Sequence, residues 1–241
     1  MRYLLYYWPS IQGRGEFVRL ALEEAGAEYV DVARRSGRGM GVAAMERFLE
    51  DEKLVGAPYA PPFLKAGKLI IGQTANILLY LGPRHGLAPR NEAGRMWVNQ
   101  LQLTIADFVT EIHDTHHPIS GALYYHQQKA EARRRTKYFR TWRMPKFLGY
   151  FEQVLSGAGK RRRYIAGNAL SYADLSLFQI VAGLRYAFPK TMKRLEPDYP
   201  GLVELHGRIA ARPNIAAYLA SKRRIPFNQD GIFRHYPELD G

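Results

Sequence analysis

The stretch YYWPSIQGRGEFVRLALEEAG, from Tyr6 to Gly26, gathers Tyr6, Tyr7, Ser10, Gln12 and Arg14 around a Pro–Gly turn. Their hydroxyl, amide and guanidinium groups could each do chemistry, and the question is which of them faces a substrate. A second group is the run HDTHHP, His113 to Pro118, with imidazoles at i, i+3 and i+4. That spacing could suit zinc. The favoured reading is histidines at a helix end before Pro118, lining a pocket or bonding carbonyls, and no metal is expected. Cysteine is absent. Disulfides, thiolate nucleophiles and zinc–thiolate sites are therefore excluded, and any thiol chemistry must use a thiol carried by the substrate.

Two further places offer ligand chemistry. Pro61-Pro62 precedes an apolar run, and a proline there can hold a cis peptide at a tight turn. The strand start then presents extended backbone that can pair with a peptide-like ligand, although an ordinary strand-entry proline reads the same way. Gln73-Thr74 opens a helix, with Thr74 as the expected N-cap. A helix N-terminus has unpaired N–H groups and partial positive charge, which suit a carboxylate. Most caps bind nothing, so this feature is weak alone. Ser171 and Asp174 have capping-box spacing, flanked by Leu170 and Leu175 as a hydrophobic staple, and read as a folding signal.

The elements that must position these residues fall into two kinds. YLLYYW reads as a strand, GEFVRLALEEAG as a helix ended by Gly26, and EYVDVA as a second strand. RRSGRGMG is a basic, Gly-rich loop without P-loop spacing. Residues 42–51 read as helix, PPFLKAGKLIIG as a hairpin, and QTANILLYLGPRHG as a helix stopped at Gly82-Pro83. The order is βαβαββα. From Glu92 onward strands stop. Leu101, Ile105, Phe108 and Ile112 share one helical face, and helices are expected over 130–155, 172–188 and 202–211 and in RPNIAAYLAS. A mixed α/β part over 1–84 and an all-helical part over 91–241 make two domains, joined near GLAPRNEAG. The last stretch, IPFNQDGIFRHYPELDG, is aperiodic; with Phe227, Phe233 and Tyr236 it either closes over a pocket or packs on the helical domain, and packing is the favoured reading.

The chain has 241 residues and a formal net charge of +13. Basic runs at Arg133–Arg135, Lys160–Arg163 and Lys222–Arg224 read as solvated faces. No aromatic-interleaved surface or motif points to nucleic acid, so that partner is not favoured. No apolar run approaches the ~18 residues of a membrane helix, and no secretory signal is evident. A soluble, cytoplasmic protein is expected.

The order of Tyr7-Trp8-Pro9, Gly13-Arg14, PPFL, GQTANILLYL, LSYADLSLF and ARPNIAAYLAS resembles the cytosolic glutathione transferases, over nearly the whole chain. The resemblance is nearest to the tyrosine-type classes, whose first strand ends Tyr-aromatic-Pro. It implies a thioredoxin-like N-terminal domain, an all-helical C-terminal domain, a two-fold homodimer and a detoxification role. It implies glutathione as co-substrate, with Pro61 and a cis Pro62 pairing its cysteinyl part. Gln73 and Thr74 would hold the γ-glutamyl carboxylate, and Asp107 would reach the γ-glutamyl amine of the neighbouring subunit. Trp8, Ile11 and Arg14 from the first turn, with His113 and His117, would line the electrophile pocket. There the histidines could donate a hydrogen bond to a leaving group or carbonyl. The family's grip on the glycine carboxylate is not recognisable; Arg34, Arg35, Arg38 and Lys53 are candidates on charge alone.

In such an enzyme the nucleophile is the thiolate of glutathione. A free thiol has a pKa of about 8.5. A hydrogen bond to a charged group contributes roughly 1.5–3 kcal/mol, enough to lower that pKa by about one to two units. Tyr7 is the expected donor. Tyr6 points to the opposite face and into the core. Ser10 is the rival, because the turn is one residue longer than the tyrosine-type pattern and WPS resembles the plant-type serine transferases. A third reading keeps Tyr7 as a packed aromatic bonded to backbone. Two other functions share the fold: a binding protein without turnover, and an assembly module of translation or nucleic-acid machinery.

Overall fold

The computed structural model describes residues 1–157 and 162–241. Lys160 and Arg161, half of one basic run, lie outside them. The chain starts with β1 (Tyr3–Tyr6), α1 (Gly15–Glu24) and β2 (Tyr29–Asp31), continues through α2 (Val42–Glu50), β3 (Phe63–Ala66) and β4 (Leu69–Gly72), and reaches α3 (Thr74–Arg84). The expected βαβαββα order is present. The strands form one sheet in the order β2-β1-β3-β4, with β1 parallel to β2 and antiparallel to β3. The Pro61-Pro62 peptide is cis, at the entrance to β3.

Alternation along β1 decides which tyrosine is structural. Tyr3 and Leu5 face α1 and α3, packing with Val18, Leu22, Ile77 and Leu81. Tyr6 faces the other side, stacked on Phe63 with ring centroids 4.5 Å apart and edge-on to Phe48 of α2. The strand ends at Tyr6, so Tyr7 is the first residue of the turn that follows.

The second part is helical: α4 (Glu92–His113), α5 (Lys129–Tyr138), α6 (Met144–Ser156), α7 (Tyr172–Ala187), α8 (Pro189–Leu195), α9 (Pro200–Ala210), α10 (Pro213–Leu219) and the short α11 (Pro237–Asp240). α7 is apolar on nearly all sides and runs through the centre, in contact with α1, α4 and α9. One core runs from Phe17, Leu20 and Leu78 into the helical part, so both parts share an apolar interface.

Local expectations were corrected at three places. The helix expected over 130–155 is interrupted by a π-helical turn at Phe139–Arg143, just ahead of Pro145. A proline inside a helix loses an N–H and crowds the carbonyl four residues back, and a wider turn absorbs that conflict. α3 continues past Gly82-Pro83 to Arg84, since a proline in the last turn costs little of the hydrogen-bond ladder. Thr74 is the first helical residue and not the cap; the cap position is Gln73, in the left-handed region at φ 66°. The Ser171–Asp174 capping box is present, and the Asp174 carboxylate also accepts from Ile165 N at 2.8 Å.

Candidate active site

The first turn wraps around one hydroxyl. Tyr7 is only 5% exposed, and its Oη accepts the Arg14 backbone N–H at 2.8 Å. The chain can close this tightly because of two glycines. A Cβ on Gly13, where φ is 46°, would lie 2.0 Å from Tyr7 Oη, and one on Gly15 would lie 2.5 Å from the ring. Burial raises the Tyr7 pKa; the Arg14 N–H and the nearby Arg14 and Arg19 charges oppose that rise. The phenol therefore keeps its proton at neutral pH. That proton has no acceptor among the described residues, so the group accepts from the backbone and has a donor left.

Arg14 also ties this hydroxyl to α3. Its carbonyl accepts from Thr74 Oγ1 at 3.3 Å. Arg14, Gln73 and Thr74 line one cavity of about 460 Å³, closed on its far side by Gln102, Leu103, Ala106 and Thr110 of α4. The first N–H groups of α3 open here without intrahelical partners, at a positive helix end. Gln73, a non-glycine residue at positive φ, has the kind of backbone strain that collects at ligand sites.

Above the turn lies the end of α4. The rings of His113 and His117 stack with centroids 4.9 Å apart, and His116 stands edge-on to both. His116 is buried, and its Nε2 donates to Ile232 O at 2.8 Å. Burial and the neighbouring Arg234 push its pKa down to about 2. His117 Nδ1 donates to Leu123 O at 3.1 Å, and His113 Nδ1 meets Asp114 at 3.3 Å. His116 and His117 thus bond carbonyls, as one sequence expectation had it. Burial lowers the pKa of His113 and His117 too, so all three rings are neutral.

Comparison with known proteins gives likenesses over nearly the whole chain. A family model described as glutathione S-transferase, C-terminal domain, matches residues 113–222. A glutathione S-transferase of Plasmodium falciparum is 24% identical over 91% of this chain and 96% of its own. Glutathione S-transferase P 1 of Xenopus laevis is 28% identical over 92% of this chain and 93% of its own. The Pi-class glutathione S-transferase structure of Onchocerca volvulus superposes with a TM-score of 0.71 at 22% identity, covering 96% and 99% of the two chains. The rat hPGDS structure complexed with a quinoline gives 0.70 at 20% identity, covering 95% and 100%. This chain is similar to glutathione S-transferases over nearly its whole length.

Other residues singled out from the sequence fall into three groups. Ser10 is exposed, and its hydroxyl has no partner among the described residues; its carbonyl accepts from Asn228 Nδ2 at 2.8 Å. Trp8 is exposed, Ile11 is half-buried, and Asp107 is exposed on α4 with no ion pair among the described residues. Of the four basic candidates, Arg34 donates to the carbonyls of Lys222 and Arg223. Arg34 and Arg35 line a different groove, beside Ser221–Arg223. Arg38 and Lys53 are exposed, with no side-chain partner among the described residues.

What sequence reasoning missed is the support under the turn. Arg19 is fully buried on α1; its Nε donates to Asp31 at 2.7 Å and its Nη1 to Glu16 and to the carbonyls of Ile11 and Gln12. Glu16 also accepts from Tyr218 at 2.7 Å and pairs with Arg224. Gln12 is held between Gln179 of α7, at 2.7 Å, and the carbonyl of Ile225. The signal was present as a Glu and an Arg three residues apart on an otherwise apolar helix, which is rarely tolerated unless both are partnered.

Proposed function

We propose that this protein conjugates glutathione to small electrophiles, with Tyr7 Oη donating a hydrogen bond to the glutathione thiolate. The carrying observation is the direction of the 2.8 Å bond: Arg14 N–H donates to Tyr7, which leaves the phenolic proton free for an anion. Ser10 is the weaker donor, because its exposed hydroxyl lacks any group that orients it. The γ-glutamyl carboxylate would meet the N–H groups at the start of α3 beside Gln73 and Thr74, and the cysteinyl backbone would pair at Pro61, ahead of Pro62. Arg38 is the proposed partner of the glycine carboxylate, with Lys53 as alternative, since Arg34 and Arg35 turn to another groove. Asp107, free on the outside of α4, suits a role across a two-fold homodimer. Trp8, Ile11, Arg14, His113 and His117 would border the electrophile. A cytoplasmic location goes with this reading.

The reaction needs no group beyond these. The thiolate sulfur bonds to the electrophilic carbon while the leaving group, or the electron pair of a conjugated double bond, takes the displaced charge. The test is the thiol pKa of bound glutathione, read by thiolate absorbance against pH, in wild type, Tyr7→Phe and Ser10→Ala. A depressed pKa that rises by about one to two units only in Tyr7→Phe is the expected result. Restoration only in Ser10→Ala would move the donor to the serine. A wild-type pKa at the free value would make the protein a carrier without turnover.

A further inference from the structure

The end of the chain is not a loose tail. Residues 225–241 cross from the first turn to the histidine cluster and on to α8. Ile225 O accepts from Gln12 and Asn228 holds Ser10 O. Ile232 O is bonded to His116, and Phe233 fills the space over Gly183, where a Cβ would come within 2.3 Å of its ring. Tyr236 stacks on Tyr125 with centroids 3.8 Å apart, and the Asp240 carboxylate accepts from Lys190 N and Thr191 N at the start of α8. The strap is therefore fixed at both ends and in the middle, and Arg234 is carried at a fixed place beside the cluster.

Arg234 is half-buried, and its hydrogen bonds are to backbone only: Nε to Gly231 O at 2.8 Å and Nη2 to Asp230 O at 3.1 Å. It meets no carboxylate among the described residues. Several other half-buried arginines do: Arg143 pairs with Glu111, Arg185 with Glu196, Arg212 with Glu24 and Arg224 with Glu16, whereas Arg95 and Arg140 bond carbonyls as Arg234 does but stand away from the first turn. Arg234 is close enough to His113, His116 and His117 to disfavour protonation of each, and Arg14 does the same to His113. The Arg14 side chain is likewise without a carboxylate among the described residues. Among the described residues the acid at the cluster is Asp114, which is shared with His113 and Arg135. A half-buried guanidinium with unspent N–H groups is a site for a planar anion.

We propose that Arg234 is a specificity-determining residue that binds a carboxylate on the electrophile, so that the preferred second substrates are anionic, carboxylate-bearing electrophiles. This rests on the transferase reading above. In that reading the sulfur lies at Tyr7, one hydrogen bond from Arg14 and next to the strap contact at Ser10. The electrophilic carbon then sits between the first turn and the histidines, and the carboxylate points to Arg234. For a conjugated enone, the sulfur bonds to the β-carbon, the double-bond pair moves onto the carbonyl oxygen, and solvent returns a proton to the resulting enolate.

The test uses the full chain, saturating glutathione, and a matched pair of probes: an aryl enone with a para carboxylate, and its methyl ester. Wild type is expected to prefer the acid in kcat/KM by about tenfold or more, mainly through KM, as one charge-assisted contact supplies. In Arg234→Gln that acid-to-ester ratio collapses toward one, and in Arg234→Lys part of it returns. A strap that merely misfolds lowers both probes together and leaves the ratio intact; that result, or a wild type without preference, overturns the proposal. Should neither probe be conjugated, the transferase reading fails separately. Calorimetry of both probes on the glutathione-loaded protein then decides this one: tighter binding of the acid, lost in Arg234→Gln, upholds it, and equal binding overturns it.

Discussion

Asp31→Ala should be the most damaging change outside the site, although Asp31 touches no proposed ligand. Arg19 is fully buried, and Asp31 makes its shortest bond, 2.7 Å from Nε. Within the cluster the cations Arg19, Arg224 and the half-buried Arg34, 3.8 Å from Asp31, face the two anions Glu16 and Asp31. Removing Asp31 leaves one buried positive charge uncompensated, and breaking such a pair typically costs about 3–5 kcal/mol. Glu16 at 3.3 Å and the carbonyls of Ile11 and Gln12 keep part of the guanidinium satisfied, so the low end, about 3 kcal/mol, is expected. At roughly 2–4 °C per kcal/mol for a chain this long, the melting temperature falls by about 6–12 °C. The assay is urea unfolding at fixed protein concentration, with Glu28→Ala as control. Glu28 pairs with Arg2 at the surface, where the side chains are 72% and 61% exposed, and its loss should stay within about 0.5 kcal/mol. A loss below about 1 kcal/mol for Asp31→Ala would refute the claim that this carboxylate holds Arg19 in place.

Gly13→Ala should act on chemistry more than on glutathione binding. Its Cβ would collide with Tyr7 Oη, and its φ of 46° disfavours any side chain, so the Arg14–Tyr7 bond breaks and the thiol pKa returns toward the free value. The rate at slightly acid pH should drop by about tenfold or more, and an unchanged rate would separate Tyr7 from catalysis. Asp174 is pushed up to about 6 by burial, above its unfolded value of about 3.9. The folded state then binds the proton more tightly, so the contribution is complete below about pH 4 and is lost as pH rises through about 6. Asp174→Asn cannot titrate; relative to it, wild type should lose roughly 3 kcal/mol between about pH 4 and pH 7 in urea melts, and a constant difference would contradict the buried assignment.

The readable parts of this sequence were those with local rules. The strand–turn–helix at residues 3–24 follows from alternation, a Pro–Gly turn and a helical apolar face. Pro61-Pro62 and the Ser171–Asp174 box are dipeptide and tetrapeptide signals, and both stand in the structure. Where a local rule met a packing demand, it gave way. Thr74 looks like a cap, yet its hydroxyl is taken by a carbonyl sixty residues away in sequence, and the cap moves to Gln73. The π turn before Pro145 arises because Phe139 and Met144 must both stay in the core around a proline.

By itself the sequence determined which residues could serve a thiolate, the order of elements, and the absence of a thiol of the protein's own, because these depend on residue type and near-neighbour spacing. Only the tertiary structure decided that Tyr7 accepts from Arg14 and so keeps a proton to give. It also decided that Arg34 and Arg35 turn away from the first turn and that Arg234 stands beside the histidines without a counter-ion among the described residues. Those outcomes rest on contacts such as Gln12 with Ile225 and Ser10 with Asn228, more than two hundred residues apart. A hydrogen bond has a direction and a partner. Over such separations both are set by how the two parts pack on α1 and α7, and no local spacing encodes that.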